Sequence, residues 1–250
     1  MFDLRRNVNG RPLLVGHRGA MDIAPENTMS AFEAGYQGGA DILELDVQLT
    51  ADRQVIIFHD TELSAKTGTS GKIADYTADY LQTLDVGSYF SPDFAGEKMP
   101  LLDEVLAWAK GHIPLMIELK YVPPMFDTEL DQLTVALIEK HDMVENVVII
   151  SFDQFALQRI KECNPNIATS FIYVTRLCNP LDMVKGMDID SLSPATDFMS
   201  QEEVKMIQSA GYACSPGGFY WDYPTLLAWG VDTISSNNPA TITNAILPRQ

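Results

Sequence analysis

The sequence predicts an α/β fold of the TIM-type (β/α)8 barrel class carrying a small insertion. Three observations point there. The 250 residues match the length of a single barrel. Strand-like apolar runs alternate with helix-like patterns from end to end, with no break in composition, as a mostly parallel sheet requires. Hydrophobic content of 46% is enough for a large core. Residues 1–250 are therefore read as a single barrel domain.

The strand-like runs are Leu13–His17, Ile42–Val47, Val55–His59, Pro114–Leu119, Val147–Ser151, Ala168–Tyr173, Ile189–Ser193, Tyr212–Ser215 and Val231–Ser235. There are nine, and a barrel takes eight. Spacing identifies the spare one. A parallel crossover needs a dozen or more residues, yet only seven, 48–54, separate Val47 from Val55. These two runs should form an antiparallel hairpin with Val55–His59 as an extra arm. If Asp52-Arg53 is a two-residue turn, Ala51 faces Gln54 and His59 falls opposite Asp46.

Helices are expected over Asn27–Gly35, stopped by Gly38-Gly39, and over Leu102–Lys110, Phe126–His141, Phe152–Cys163 and Ser200–Ala210. Thr61–Pro100 is rich in Gly, Ser, Asp and Thr and too long for an ordinary connection. Residues 61–100 are read as an inserted subdomain or lid.

A net charge of −17 argues against nucleic acid and anionic membranes as partners. Cys163, Cys178 and Cys214 are odd in number and form no CxxC motif, so they are read as buried thiols in a reducing compartment. No apolar stretch is long enough to span a bilayer, and no signal-peptide run follows Arg5-Arg6. The expectation is a cytoplasmic protein without stable membrane insertion, with homo-oligomer formation left open.

Side chains alternate along a strand, so Glu44 and Asp46 share one face while Leu43, Leu45 and Val47 share the other. With the apolar face under the helices, both acids point into the barrel, where a hard divalent cation is the usual remedy for unpaired carboxylates. A solvated edge strand with incidental acids would show the same alternation. By the same parity Glu118 and Lys120 face together, adding a third oxygen ligand and a cation at the strand end where barrel enzymes place their sites. Lys120 would also suit a Schiff base, although converging acids raise rather than lower its pKa. His17 ends the first strand and is followed by Arg18. Two histidines suit acid–base catalysis, and Arg18 with Lys120 suits a phosphate. Glu26, in the Pro25-Glu26-Asn27-Thr28 loop, is placed to brace the site. His112, in a turn, and His141, near a helix end, are not read as catalytic.

His17-Arg18-Gly19, Pro25-Glu26-Asn27-Thr28, Glu44-Leu45-Asp46-Val47, His59-Asp60 and Ile117-Glu118-Leu119-Lys120, in this order and spacing, closely resemble the glycerophosphodiester phosphodiesterase family. The likeness is dense from Leu13 to Lys120 and resumes at Ser151-Phe152 and Gly230-Val231-Asp232. It implies hydrolysis of a small-molecule glycerophosphodiester to glycerol 3-phosphate and an alcohol, with calcium or magnesium (Ca2+ or Mg2+) as cofactor. It casts Glu44, Asp46 and Glu118 as metal ligands, His17 and His59 as the acid–base pair, and Arg18 and Lys120 as phosphate contacts. It matches residues 61–100 to the family's insertion.

Two segments depart from the family pattern. Tyr212-Ala213-Cys214-Ser215-Pro216 replaces a Trp-Thr-Val-Asn-like segment, and Ser236-Asn237-Asn238-Pro239 stands where Thr-Asp-x-Pro is usual. Both are expected to lie away from the metal and the histidines and to bear on the leaving group, with Phe219, Tyr220 and Trp221 offering replacement aromatic surface. The alternatives are a lysophospholipase D-like enzyme for lipid-linked substrates and a barrel that binds a phosphorylated ligand without turnover.

Overall fold

The computed structural model of the protein describes residues 1–5, 10–121, 127–218 and 222–245. Within them all nine runs form strands: β1 (Leu13–Gly16), β2 (Ile42–Leu49), β3 (Val55–Ile57), β4 (Leu115–Leu119), β5 (Val147–Ser151), β6 (Ala168–Tyr173), β7 (Ser191–Pro194), β8 (Ala213–Cys214) and β9 (Thr233–Ser236). Bonded neighbours run β8-β7-β6-β5-β4-β2-β1-β9, all parallel, with β3 attached to β2 alone. At the seam the Asp232 N–H donates to the Cys214 carbonyl at 2.9 Å, and the Ser215 and Thr233 hydroxyls meet at 2.7 Å. The result is a nearly closed eight-stranded parallel barrel, the TIM-type architecture read from the sequence.

The helices are α1 (Met29–Gln37), α2 (Ser64–Thr67), α3 (Ala78–Leu81), α4 (Leu102–Ala109), α5 (Glu129–Lys140), α6 (Gln154–Cys163), α7 (Gln201–Ser209), α8 (Tyr223–Trp229) and α9 (Pro239–Ala245). Their starts differ from expectation where polar residues act as caps instead of opening the helix. Thr28 Oγ1 accepts the Ala31 N–H, so α1 starts after it, and Asp153 and Ser200 cap α6 and α7 in the same way. Phe126, expected to open α5, lies outside the described residues.

The outer core confirms the strand parity. Leu43, Leu45 and Val47 of β2 and Ile117 and Leu119 of β4 pack against Leu102, Leu106, Leu157 and Ile160 of the helices. Burying each such side chain contributes roughly 1.5–3 kcal/mol. Inside the barrel, Leu13, Val15, Met116, Val148 and Ile150 form a second cluster that Phe2 and Leu4 join from the N-terminal segment. The barrel interior therefore combines this apolar cluster with the acids of β2 and β4 and with buried Ser170, Ser193, Ser215 and Thr233.

The hairpin is antiparallel, as expected, but its register is not. Val47 pairs with Ile57, Gln48 with Ile56 and Leu49 with Val55, one residue away from aligning His59 with Asp46. The turn holds three residues instead of two. The Thr50 N–H donates to the Gln54 carbonyl at 3.0 Å, and Arg53 closes the turn in the left-handed region at φ 63°. Asp-Arg lacks the glycine that a two-residue primed turn favours, so the chain takes the longer loop.

Residues 61–100 carry α2, α3 and short 3-10 turns at Ile73–Asp75 and Pro92–Phe94. Leu63, Ile73, Leu81, Val86 and Met99 form their own cluster, with Ile56 and Phe58 of the arm beneath it. The thiols also differ from expectation, since Cys214 is buried but Cys163 and Cys178 are exposed. Cys163 closes α6 and Cys178 lies in the loop after β6, where neither has a core to face. Among the described residues no helix is long and apolar enough to cross a membrane.

The β1–α1 turn requires unusually close packing. A Cβ on Gly35 would lie 2.6 Å from the Gly19 carbonyl oxygen, and one on Gly16 would lie 2.4 Å from the same atom. Gly35→Ala should therefore destabilise the protein by about 1–3 kcal/mol, the usual cost of overpacking. That is the reverse of the helix-propensity gain of about 1 kcal/mol that Ala brings at an open site. Urea unfolding monitored by circular dichroism reads the sign.

Candidate active site

The acids converge because β2 and β4 are adjacent and in phase. Asp46 pairs with Glu118 and Glu44 with Met116, which brings one carboxylate oxygen from each of Glu44, Asp46 and Glu118 within 4.8 Å of the others. All three are buried, at 5%, 1% and 8% exposure. Burial first, then the charges of Asp46 and Glu118, pushes Glu44 well above the ordinary carboxylate range. Burial and Asp46 raise Glu118 to about 7. Burial acts in the same direction on Asp46, but Lys120, Arg18 and His59 outweigh it and hold this carboxyl at about 2. Three hard oxygen donors at this spacing, short of positive charge, fit a hard divalent cation.

The two basic residues lie over the acids. Lys120 Nζ is 2.6 Å from Glu118 Oε1 and 3.2 Å from Asp46 Oδ1. Arg18 Nε is 3.4 Å from Asp46 Oδ2, while its Nη1 donates to Glu26 Oε1 at 2.8 Å. Arg18 is fixed by its backbone as well. It takes a left-handed φ of 47°, and its N–H donates to Glu44 Oε2 at 2.8 Å.

His17 follows β1, its N–H bound to the Ser236 carbonyl at 2.9 Å, and its Nε2 is 3.9 Å from Glu44 Oε2. Burial and then Arg18 lower its pKa to about 4. Its Nδ1 lies 2.9 Å from Asn237 Oδ1. This corrects the expectation that the altered Ser236–Pro239 segment lies away from the histidines, because the end of β9 is the neighbour of β1. An amide oxygen at Nδ1 makes that nitrogen the donor and leaves Nε2 as the acceptor.

His59 reaches the site in spite of the register. Continued as a strand, β3 would turn His59 to the helix side with Ile57. Instead β3 stops at Ile57, and the Phe58 N–H makes the last ladder bond, to the Asp46 carbonyl at 3.0 Å. The buried Gln48 amide then donates to the Phe58 and Asp60 carbonyls at 2.8 and 2.9 Å, which satisfies the bent segment. Phe58 goes under the insertion and His59 turns into the cavity, its Nδ1 2.8 Å from Asp60 Oδ1. Burial and then the Lys120 and Arg18 charges lower its pKa, against the opposing pull of Asp46.

One cavity of about 280 Å³ is lined by His17, Arg18, Glu44, His59, Glu118 and Lys120 on one side, and Asp46 lies beneath them. Its other wall is largely apolar, with Met116, Ile150, Phe152, Ile172, Val174 and Pro216 beside Ser193, Ser215 and Ser235. Glu26 contacts Arg18 instead of the cavity. Phe219, Tyr220 and Trp221 lie outside the described residues. His112 stacks on Trp108, and His141 bonds Asp103 at 2.6 Å, both apart from the site.

Sequence reasoning missed three supports. Asn27, read as part of a loop or cap, clamps Asp46, its Nδ2 donating to Oδ2 at 2.8 Å and its Oδ1 accepting the Asp46 N–H at 3.2 Å. Gln48 and Asn237 are the others. The only local signal was Gln48, a polar residue continuing the acid-bearing face of β2.

The model of the glycerophosphoryl diester phosphodiesterase family matches residues 17–241. A glycerophosphodiester phosphodiesterase of Caldanaerobacter subterraneus subsp. tengcongensis is 30% identical over 243 residues, covering 94% of this chain and 98% of that one. A Bacillus subtilis relative is 40% identical over 161 residues, which span 64% of this chain and 65% of that protein, just under two thirds of its length. The solved structure of an Oleispira antarctica phosphodiesterase in complex with the product sn-glycerol-3-phosphate superposes with a TM-score of 0.88 at 28% identity, covering 94% of this chain and 97% of that one.

The Asn27 clamp yields a stability test. Asn27→Ala removes both bonds to the buried Asp46 and puts a Cβ without a polar tip at φ 59°. The expected loss is about 2 kcal/mol in urea unfolding. Unchanged stability would show that the clamp does not hold Asp46.

Proposed function

Because this chain belongs to the glycerophosphoryl diester phosphodiesterase family and is thereby a phosphoric diester hydrolase, we propose that it hydrolyses glycerophosphodiesters to glycerol 3-phosphate and an alcohol. The observation that carries the reading is the convergence of Glu44, Asp46 and Glu118 beneath a cavity that also receives His17, His59, Arg18 and Lys120.

Glu44, Asp46 and Glu118 would hold the divalent cation, calcium or magnesium, which when bound supplies Lewis-acid charge for phosphoryl oxygens. Arg18 and Lys120 bind and orient the phosphodiester, arginine through its planar fork and lysine as a point charge. The two imidazoles form the acid–base pair. One takes the proton of the attacking oxygen, from water or from the substrate's neighbouring hydroxyl through a cyclic phosphate, and the other protonates the departing alcohol. Residues 61–100 act as a lid, since Phe58 beside His59 is packed into their cluster. The two exposed free thiols fit a reducing compartment, and the same proposal places the enzyme in the cytoplasm.

One observation favours a second reading, a lysophospholipase D-like activity on lipid-linked substrates. The apolar wall continues to solvent through Phe152 and Val174, 53% and 58% exposed, which gives an acyl chain a path out of the cavity. This path follows β5 and β6.

Two tests apply. His17→Ala and His59→Ala should each reduce kcat on glycerophosphocholine by at least about 100-fold, and EDTA should abolish turnover until calcium, magnesium or manganese is restored. Full activity in either variant, or indifference to EDTA, contradicts the mechanism. Assayed side by side, glycerophosphocholine should exceed lysophosphatidylcholine in kcat/KM, and the opposite order selects the lipid-linked reading.

A further inference from the structure

The insertion contributes one charged residue whose contacts go beyond attachment to the barrel. Lys66, on α2, is nearly buried, its side chain 11% exposed, and its Nζ stands 5.2 Å from the centre of the Phe58 ring. That ammonium is 2.9 Å from Asp60 Oδ2 and 2.5 Å from Glu26 Oε1. Asp60 Oδ1 in turn meets His59 Nδ1 at 2.8 Å, and Glu26 Oε1 accepts from Arg18 Nη1 at 2.8 Å. A continuous chain of polar contacts therefore joins His59 to Arg18 along the polar side of the cavity, through Asp60, Lys66 and Glu26. Glu26, His59 and Asp60 also form a second cluster of metal-ligand type, with one donor atom each within 4.8 Å of the others. The Lys66 ammonium contacts two members of that cluster, so the cation it requires is built into the chain.

We propose that Lys66 is a positioning residue that locks Asp60 by its second oxygen and thereby fixes the imidazole of His59, tying the acid–base machinery to the seating of the insertion. The carboxylate of Asp60 has two jobs that depend on one rotamer. It orients the His59 ring and stabilises its charged form, as a carboxylate does for a catalytic histidine. Without Lys66, Asp60 faces Glu26, a like charge, and is driven away from the geometry that holds His59. Arg18 is less exposed to the loss, because it keeps Glu26 and its Asp46 contact at 3.4 Å. The effect should therefore fall on kcat far more than on KM. A lysine that merely pinned the insertion would lower stability and leave this split, and the His59 ring, unmoved.

The proposal rests on the assignment of His59 as an acid–base residue, so the experiment reads both turnover and the ring itself. Lys66→Met, Lys66→Arg, Asp60→Asn and the Lys66→Met/Asp60→Asn double variant are assayed as metal-loaded full chains on glycerophosphocholine and bis(p-nitrophenyl) phosphate. In parallel, the His59 Nδ1–H proton is followed by NMR, assigned by its absence in His59→Ala. Lys66→Met should lose about tenfold or more in kcat with KM changed less than about threefold, and Lys66→Arg should recover most of the loss. The double variant should be no worse than the poorer single one, as expected for residues acting as one unit. The His59 Nδ1–H signal should disappear in Lys66→Met and persist in Lys66→Arg. Wild-type kcat in Lys66→Met, losses that multiply in the double variant, or an unchanged His59 signal overturns the proposal. If Lys66→Met does not fold, Asp60→Asn decides, since unchanged kcat and an unchanged ring signal there overturn it equally. Failure of the unsubstituted enzyme to cleave either diester would instead sink the hydrolase reading, leaving the NMR arm to judge Lys66.

Discussion

The structure depends on the burial of three carboxylates at the C-terminal end of two neighbouring parallel strands. Glu44, Asp46 and Glu118 occupy inward positions that elsewhere in the barrel are filled by Val15, Met116, Val148 and Ile150. Like charges this close and this dry are unfavourable, which is visible in the upward shifts of Glu44 and Glu118. Everything around them supplies compensation of some kind. Arg18 and Lys120 bring positive charge, Asn27 brings an amide clamp, and the backbone N–H of Arg18 donates to Glu44. The arrangement is costly for stability, and the proposed binding of a cation and a phosphodiester there fits the pattern expected where function and stability compete.

The same constraint explains the local irregularities. Left-handed backbone at Arg18 and Asn27 turns two side chains toward Asp46, and three glycines at 16, 19 and 35 let α1 approach the turn that carries His17 and Arg18. β3 breaks at Ile57 so that His59 can leave the ladder, with Gln48 accepting the burden of the bent backbone. Arg18, Asn27 and the close-packed glycines thus gather around the acids.

Much of this was legible in the sequence because it follows from period and length. The alternation of Glu44-Leu45-Asp46-Val47 and of Ile117-Glu118-Leu119-Lys120 sets the inward face wherever the strand lies, and the short gap after Val47 excludes a parallel crossover. What could not be read depended on one residue's dihedral or on contacts far apart in the chain. The hairpin register turned on Arg53 adopting φ 63°, which nothing in Asp-Arg announces. The contact of Asn237 with His17 spans 220 residues and exists because β9 lies beside β1. Lys66 falls in a segment of weak periodicity, so its place between Glu26 and Asp60 is a property of the folded insertion alone.

Glu44, Asp46 and Glu118 are proposed to form one divalent-cation site. Calorimetric titration of metal-stripped protein with calcium, magnesium and manganese measures this without reference to any substrate. A single saturable site per chain is expected, lost in Asp46→Asn and in Glu118→Gln. Absence of binding by all three ions, or undiminished binding in Asp46→Asn, would contradict it.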